Sequence, residues 1–252
     1  MAKSNGSVSL RKRSGGLEDV GARVEVRRHP GARRLTLRVS RTRRAVIVTL
    51  PVQCDLDEAG TFLSRHMDWV RERLDSLPDL VPFAHGMAMP LRGEPHKIIF
   101  TGTTRTRLIS VESGQGTRNA ICVPGPLDAA PRRLRTWLVE EAKCDLDKRV
   151  AYHAKRLTVV PKRIAVRDQT SRWGSCSTTR VLSFSWRLLL APPPILDYVA
   201  AHEVAHLAEM NHGPRFWALV RKTLPDYETS KRWLQVYGLD LHRYGNDDGA
   251  PD

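Results

Sequence analysis

The sequence has few of the residues that mark secreted, membrane-spanning or disulfide-stabilised proteins. Only four of its 252 residues are cysteine, and no two form a Cys-x-x-Cys pair. We therefore expect free thiols. No stretch approaches the roughly 18 apolar residues of a membrane helix, and residues 1–16 are polar and basic where a secretory signal would be apolar. A cytoplasmic protein without a membrane partner is expected.

Acidic residues are scarce relative to basic ones. The chain has 27 Asp and Glu against 41 Lys and Arg, a formal charge of +14, and only nine of the basic residues are lysine. Such an excess is typical of proteins that bind a polyanion, either a nucleic acid or a nucleotide. A codon-composition bias toward arginine would produce the same excess. The basic runs are scattered and carry no helix-turn-helix or zinc-finger spacing, so charge alone does not name the partner.

Hydrophobic periodicity divides the chain into three predicted regions. Residues 1–16 are rich in Ser, Gly, Lys and Arg and are predicted to form a disordered basic tail. Residues 17–125 contain short alternating stretches, which predict a small antiparallel β-rich region. One helix interrupts it, capped by Asp55 or Asp57 and ended by Pro78. The turn-prone segment 123–126 predicts a boundary.

Residues 126–245 are predicted to form a second, mostly helical domain. A long helix at about 129–157 is followed by strands at 163–167 and 181–187, joined by a polar loop. Pro194 suits the first turn of the next helix, which extends from about Ile195 to Met210, and two further helices follow. Strands and helices in separate runs predict the α+β class.

The predicted helix after Pro194 carries the motif His-Glu-x-x-His at His202, Glu203 and His206. Positions i and i+4 lie on one helix face, so both imidazoles can reach one ion. Glu203, next to the first ligand, can accept a proton from a bound water whose pKa the metal lowers toward about 7. The motif therefore predicts a zinc-dependent hydrolase with Glu203 as the general base.

A catalytic zinc takes three protein ligands and keeps the fourth position for water. His212 can supply the third ligand if the chain reverses direction after the helix, which Asn211 and Gly213 tolerate. Glu228, farther along the chain, is the alternative third ligand, since zinc also accepts carboxylate oxygen.

With these residues in view, the chain resembles the YgjP-like metallopeptidase family, which is related to the SprT-like zincins. The resemblance spans most of residues 24–240 and is densest from 171 to 217. The segments that carry it are Arg172-Trp173-Gly174-Ser175-Cys176, Asp197-Tyr198-Val199, His202 to His206 and His212-Gly213-Pro214. The resemblance implies a zincin-like helix–sheet–helix catalytic core behind the β-rich region. It also implies that His202, His206 and His212 are metal ligands and that Glu203 is catalytic.

Several neighbouring residues have both a functional and a structural interpretation. Arg172 and Tyr198 are candidate substrate or oxyanion contacts, although structural roles fit them equally well. Cys176 could approach the metal, but a packed thiol is the more usual role. His153 lies near the apolar face of the long helix and is interpreted as a core residue.

The leading functional prediction is a zinc-dependent metallopeptidase that acts on a peptide or protein. An extended substrate would pair with an edge strand near 181–187. One alternative is a metal-dependent nucleotide phosphohydrolase, although the sequence has no glycine-rich phosphate loop. Another is a nucleic-acid-associated protease of the SprT-like type. A binding module with a structural zinc would leave Glu203 without a role.

Overall fold

The computed structural model describes residues 22–103, 108–113 and 119–245. The chain divides into two compact units, Met1–Asp79 and Leu80–Asp252. Helices are combined with three small sheets, which confirms the predicted α+β class. The predicted tail at residues 1–16 lies outside the described residues. In the part of the chain that the structure describes, no helix has both the length and the apolar character to cross a bilayer.

The first unit is a three-stranded sheet packed against two short helices. Its elements are β1 (Arg23–Arg28), β2 (Thr36–Ser40), β3 (Ala45–Leu50), α1 (Leu56–Arg65) and α2 (Met67–Asp75). Asp55 caps α1 by accepting a hydrogen bond from the Leu56 amide, as predicted. The single helix that the sequence predicts is interrupted at His66, which separates α1 from α2. Val46 and Val48 of β3 share a core with Leu63 and Val70 of the helices.

The strand order of this sheet is β1-β3-β2. The strands are not all antiparallel, although the sequence predicts that they are. β2 and β3 form an antiparallel hairpin, but β1 pairs with β3 in parallel. The connection over residues 29–35 therefore carries the chain from one edge of the sheet to the other. Alternation of apolar residues reports which face of a strand is buried and contains no information about the neighbouring strand.

In its described residues, the second unit contains two further sheets and four α-helices. One sheet is formed by β4 (Ala88–Leu91), β5 (Glu94–Gly102), β6 (Ser110–Glu112) and β7 (Ala120–Pro124), and the other by β8 (Arg163–Arg167), β9 (Gly174–Cys176) and β10 (Val181–Ser185). The helices are α3 (Ala130–Leu157), α4 (Pro193–Ala205), α5 (Pro214–Thr223) and α6 (Tyr227–Tyr237), with 3-10 helices at Trp186–Leu190 and Gly238–Arg243. α3, the β8–β10 sheet and α4 form the predicted helix–sheet–helix arrangement.

Helix α3 joins both sheets of this unit. Leu134 on its first half packs with Ile98 of β5, and Leu146 on its second half packs with residues of α4 and β10. The division of the chain follows Asp79, so the predicted boundary at residue 125 lies inside the second unit. The segment around Gly125 is a turn, with φ of 113° at the glycine. Turn residues do not reveal whether the segments on either side share one core.

Strand β9 lies within the segment 169–180, for which the sequence predicts a polar loop. It pairs antiparallel with β10, which pairs in parallel with β8 on its other side, so the order is β8-β10-β9. The prediction of a substrate-binding edge near 181–187 is therefore wrong, because that strand is central. Among the described residues, β9 is the edge strand on the α4 side of this sheet.

Candidate metal centre

Three histidine side chains converge at the end of α4. His202 lies in its last turn, His206 is its C-terminal cap, and His212 lies in the loop before α5. The Nε2 atom of His202 lies 3.2 Å from that of His206 and 3.0 Å from that of His212. Nitrogens that bind one tetrahedral zinc at roughly 2.0–2.1 Å are about 3.3 Å apart. The separations therefore fit a single ion.

His202 is held in the neutral form that binds metal. Burial, followed by the charges of His206, His212 and Lys231, lowers the pKa of His202 to about 3. The His206 ring faces the Glu209 carbonyl with Nδ1 at 3.1 Å, so Nδ1–H donates and the Nε2 lone pair is left for a ligand. The three Nε2 atoms can therefore direct their lone pairs at one cation, which supports a metal site.

The side chain of Phe216 forms the floor of the centre. Phe216 lies in the first turns of α5 and is fully buried. Its ring centroid lies 4.8, 4.5 and 4.7 Å from those of His202, His206 and His212. Trp217 lies farther out, 6.0 Å from His212. These rings keep water from the inner side of the histidines and hold them in place.

The chain reversal that returns His212 to the site depends on Glu209. Its carboxylate accepts a hydrogen bond from the Asn211 amide at 3.2 Å, and its carbonyl accepts the bond from His206. Gly213 is extended, with φ of −83° and ψ of −175°, and Asn211 has no positive φ either. The chain reverses as expected, but without a left-handed residue at Asn211 or Gly213, because side-chain and carbonyl contacts of Glu209 stabilise the turn.

Glu203 is buried beside the three histidines. It is 5% exposed, and burial raises its pKa to about 8 against the opposing charge of Arg172. Gly174 of β9 lies directly against it: a Cβ on Gly174 would be 2.6 Å from both Cγ and Oε1 of Glu203. Only glycine permits this approach, so β9 determines where the carboxylate lies. The sequence does not predict this role for Gly174, and the signal that could have indicated it is the place of the glycine in the segment 172–176.

The two candidate substrate contacts occupy different positions. Arg172 is exposed, and its charge acts on Glu203. Tyr198 is 6% exposed, with its ring centroid 5.9 Å from that of His202, and it stacks on Tyr227. Burial raises the pKa of Tyr198 to about 12, so its hydroxyl stays protonated. Arg172 is therefore open to solvent, whereas Tyr198 packs against His202.

Two side chains considered as further ligands lie outside the centre. Glu228 has a side chain that is 63% exposed and lies 3.7 Å from Arg221. Cys176 is half-buried, and burial, followed by the charge of Glu203, raises the pKa of its thiol. Within the described residues, the metal-capable cluster consists of the three histidines. No disulfide involves any of the four cysteines, which confirms the expectation of free thiols.

A buried polar network holds α4 in place behind the centre. His153 of α3 is fully buried, as predicted. It lies 2.7 Å from the Thr223 hydroxyl and 2.6 Å from a carboxylate oxygen of Asp197. Arg149 donates to both oxygens of Asp197. The network links α3 and α5 to α4, the helix that carries two of the histidines.

A family profile covers most of the chain. The profile of the YgjP-like metallopeptidase domain matches residues 33–237, which include every residue of the candidate centre. No curated protein matches the sequence. Among solved structures, the zymogen of the metallopeptidase abylysin from Pyrococcus abyssi is similar over 37% of this chain and 95% of its own. Its sequence identity is 17% and the TM-score is 0.34.

Proposed function

The chain belongs to the YgjP-like metallopeptidase family, and we propose on that premise that it is a zinc-dependent peptidase with His202, His206 and His212 as its metal ligands. The observation that carries this proposal is the convergence of the three Nε2 atoms. Imidazole nitrogen is a ligand that zinc prefers, and three protein ligands leave one coordination position for water or substrate. A structural zinc site would have four protein ligands.

Glu203 is the proposed general base. Bound zinc would supply an acidified water and polarise the carbonyl of the substrate. The Glu203 carboxylate then accepts the proton of the attacking water and delivers it to the nitrogen of the leaving amine. Gly174 supports this role because its missing side chain lets the carboxylate lie against β9. Phe216 excludes water from the inner side of the histidines.

The substrate is proposed to be an extended peptide that pairs with the free edge of β9. Backbone groups on an edge strand bind an extended segment by adding one more strand to the sheet. Because Gly174 of β9 contacts Glu203, a peptide on this edge would lie beside the base. Arg172 precedes β9 and is exposed there, so we propose it as a substrate contact. Tyr198 is buried, and we propose that it supports His202.

The alternative of a nucleotide phosphohydrolase rests only on the overall charge of the chain. The family profile favours the peptidase. The alternative of a nucleic-acid-associated protease adds a binding partner and leaves the proposed peptidase reaction unchanged.

The test combines metal analysis with a substrate panel. Purified protein should contain one zinc per chain and cleave unstructured peptides, with nucleoside triphosphates tested in parallel. Glu203→Gln should keep the zinc and lose about 10²–10⁴-fold in turnover, because the amide cannot accept a proton. Undiminished peptide cleavage by Glu203→Gln would refute the mechanism. Full zinc content in His202→Ala would refute the site.

A further inference from the structure

The first unit separates its charges between the sheet and the helices. Residues 22–51, which form the three strands and their connections, contain nine arginines and one acidic residue, a formal charge of +8. Residues 52–79, which contain both helices, have three arginines and seven acidic residues, a formal charge of −4. Eight of the nine arginines in the sheet segment are exposed. The positive charge therefore belongs to the sheet and its connections.

The arginines of the strands lie on the face opposite the helices. Successive side chains of a strand point to opposite faces, and Val24 and Val26 pack toward the helices. Arg23 and Arg27 therefore point to the other face, about 13 Å apart along β1. Residues that pair directly across neighbouring strands lie on the same face of a sheet. Ile47 of β3 pairs with Glu25 on one side and with Arg38 on the other. Arg38 of β2 therefore lies on the same face as Arg23, Glu25 and Arg27.

Glu25 orders part of this surface. Its carboxylate lies 2.6 Å from Arg27, 3.4 Å from Arg43 and 3.9 Å from Arg23. Burial opposes the charge of Glu25, but the arginines outweigh this effect and lower its pKa, so it stays ionised. One negative charge thus holds three guanidinium groups that remain 43–70% exposed. Each guanidinium has five donors, so one carboxylate leaves most of them for a ligand.

We define the arginine face as Arg23, Arg27 and Arg38 of the strands, together with Arg33, Arg34 and Arg41 of the connections on either side of β2. Arg33, Arg38 and Arg41 form no ion pair within the described residues. Residues 22–51 contain no Phe, Tyr or Trp, so the face lacks the large aromatic rings on which unpaired bases stack. It also lacks the aromatic anchors of a membrane-surface segment. Arginine forks, in contrast, match phosphate oxygens.

We propose that the arginine face binds the phosphate backbone of double-stranded nucleic acid without preference for base sequence. The face carries the donors that phosphates need, and residues 22–51 contain no Asn or Gln, the side chains that recognise adenine. The residues of this face belong to the first unit and those of the histidine centre to the second, so the proposal does not rest on the proposed peptidase reaction.

The test uses the full chain and a fluorescein-labelled 20-bp DNA duplex, with binding followed by anisotropy. Wild type should bind in the micromolar range at physiological salt, with affinity that falls steeply as salt rises. A triple variant, Arg33→Gln/Arg38→Gln/Arg41→Gln, should lose about tenfold or more in affinity. The slope of log K against log salt should become shallower by about 2.7, because each lost phosphate contact removes about 0.9 from the slope.

The matched control is Arg132→Gln/Arg163→Gln/Arg232→Gln, three exposed arginines of the second unit with the same change in net charge. Its affinity for the duplex should fall by less than about twofold, because salt screens each arginine from all but the nearby phosphates. Equal losses in both triples, or no duplex binding by wild type at 50 mM salt, would overturn the proposal. Tighter binding to the single strand, or to phosphatidylserine vesicles, would overturn it too. If the triple variant fails to fold, the three single variants replace it, each with a slope change of about 0.9.

Discussion

The position of Glu203, the proposed general base, depends on a residue that has no side chain. Gly174 and Glu203 are 29 positions apart in the sequence, yet a Cβ on the glycine would overlap Cγ and Oε1 of the glutamate. We predict that Gly174→Ala keeps one zinc per chain and lowers turnover by about 100-fold, because a misplacement of about 1 Å can cost that much. Metal analysis and peptide cleavage measure the two effects separately.

Gly60 of α1 provides the control for this substitution. Nothing lies within 4 Å of a Cβ built on Gly60, so Gly60→Ala should leave turnover unchanged. It should raise stability by roughly 0.5–1 kcal/mol through helix propensity. Full activity of Gly174→Ala would show that Glu203 can move without loss, and the proposed role of β9 would then be wrong.

The proposed third metal ligand, His212, is also tested at the scale of single residues. His212→Ala should weaken zinc binding by more than the roughly 10–100-fold that follows loss of a supporting outer-shell partner. Glu228→Ala should leave it unchanged, since Glu228 lies near Arg221 and outside the histidine cluster. Competition with a zinc-chelating dye gives both affinities. The reverse order of losses would identify Glu228 as the ligand.

At the scale of elements, α4 is held by the contacts of Asp197. The carboxylate is buried, which opposes its charge, but hydrogen bonds from His153 and Arg149 outweigh burial and lower its pKa. Its contribution to stability is therefore complete above the unfolded pKa of about 4 and is lost as the pH falls through the lower folded value. Asp197→Asn should destabilise the protein by about 2 kcal/mol at pH 7, in the range of hydrogen bonds to charged groups.

Urea unfolding at pH 7 and at pH 3 measures this effect, and the difference between wild type and Asp197→Asn should be smaller at pH 3. Asp147→Asn is the control, because Asp147 forms an exposed pair with Lys143 on α3. Exposed pairs of this kind contribute about 0.3–0.5 kcal/mol. A difference between wild type and Asp197→Asn that does not change with pH would mean that packing, and not charge, fixes α4.

At the scale of the whole second unit, Arg187 links the middle of the chain to its C-terminal part. Arg187 is 1% exposed, contacts Asp168 at 3.0 Å and donates to the carbonyls of Leu241 and Tyr244. Asp168→Ala would leave this buried charge without its carboxylate. We expect a loss near the lower end of the roughly 3–5 kcal/mol range for broken buried pairs, because the Asp168 side chain is 38% exposed.

Arg187→Met should cost less than Asp168→Ala, since an apolar side chain of similar length fills the space and leaves no buried charge. Asp168 keeps a second partner in that variant, Arg135 at 3.2 Å. Unfolding in urea ranks the two variants. A larger loss in Arg187→Met would show that the bonds to the C-terminal carbonyls, rather than the charge pair, dominate.

Much of the architecture could be predicted because it depends on neighbours in the sequence. The helix period places His202 and His206 on one face, whatever the rest of the chain does. The same period predicts α3 almost to its ends, and Asp55 caps α1 as expected. These features follow from backbone geometry and local hydrogen bonds, which a short segment determines by itself.

Only the tertiary structure decided which distant segments meet. β1 lies beside β3, Gly174 lies against Glu203, and the core of α3 continues into the β5–β7 sheet. Glu209 completes the turn that returns His212 to the centre. Periodicity in a sequence reports that one face of an element is buried. It cannot report what buries that face, because contact energies depend on both partners and on the path of the chain between them.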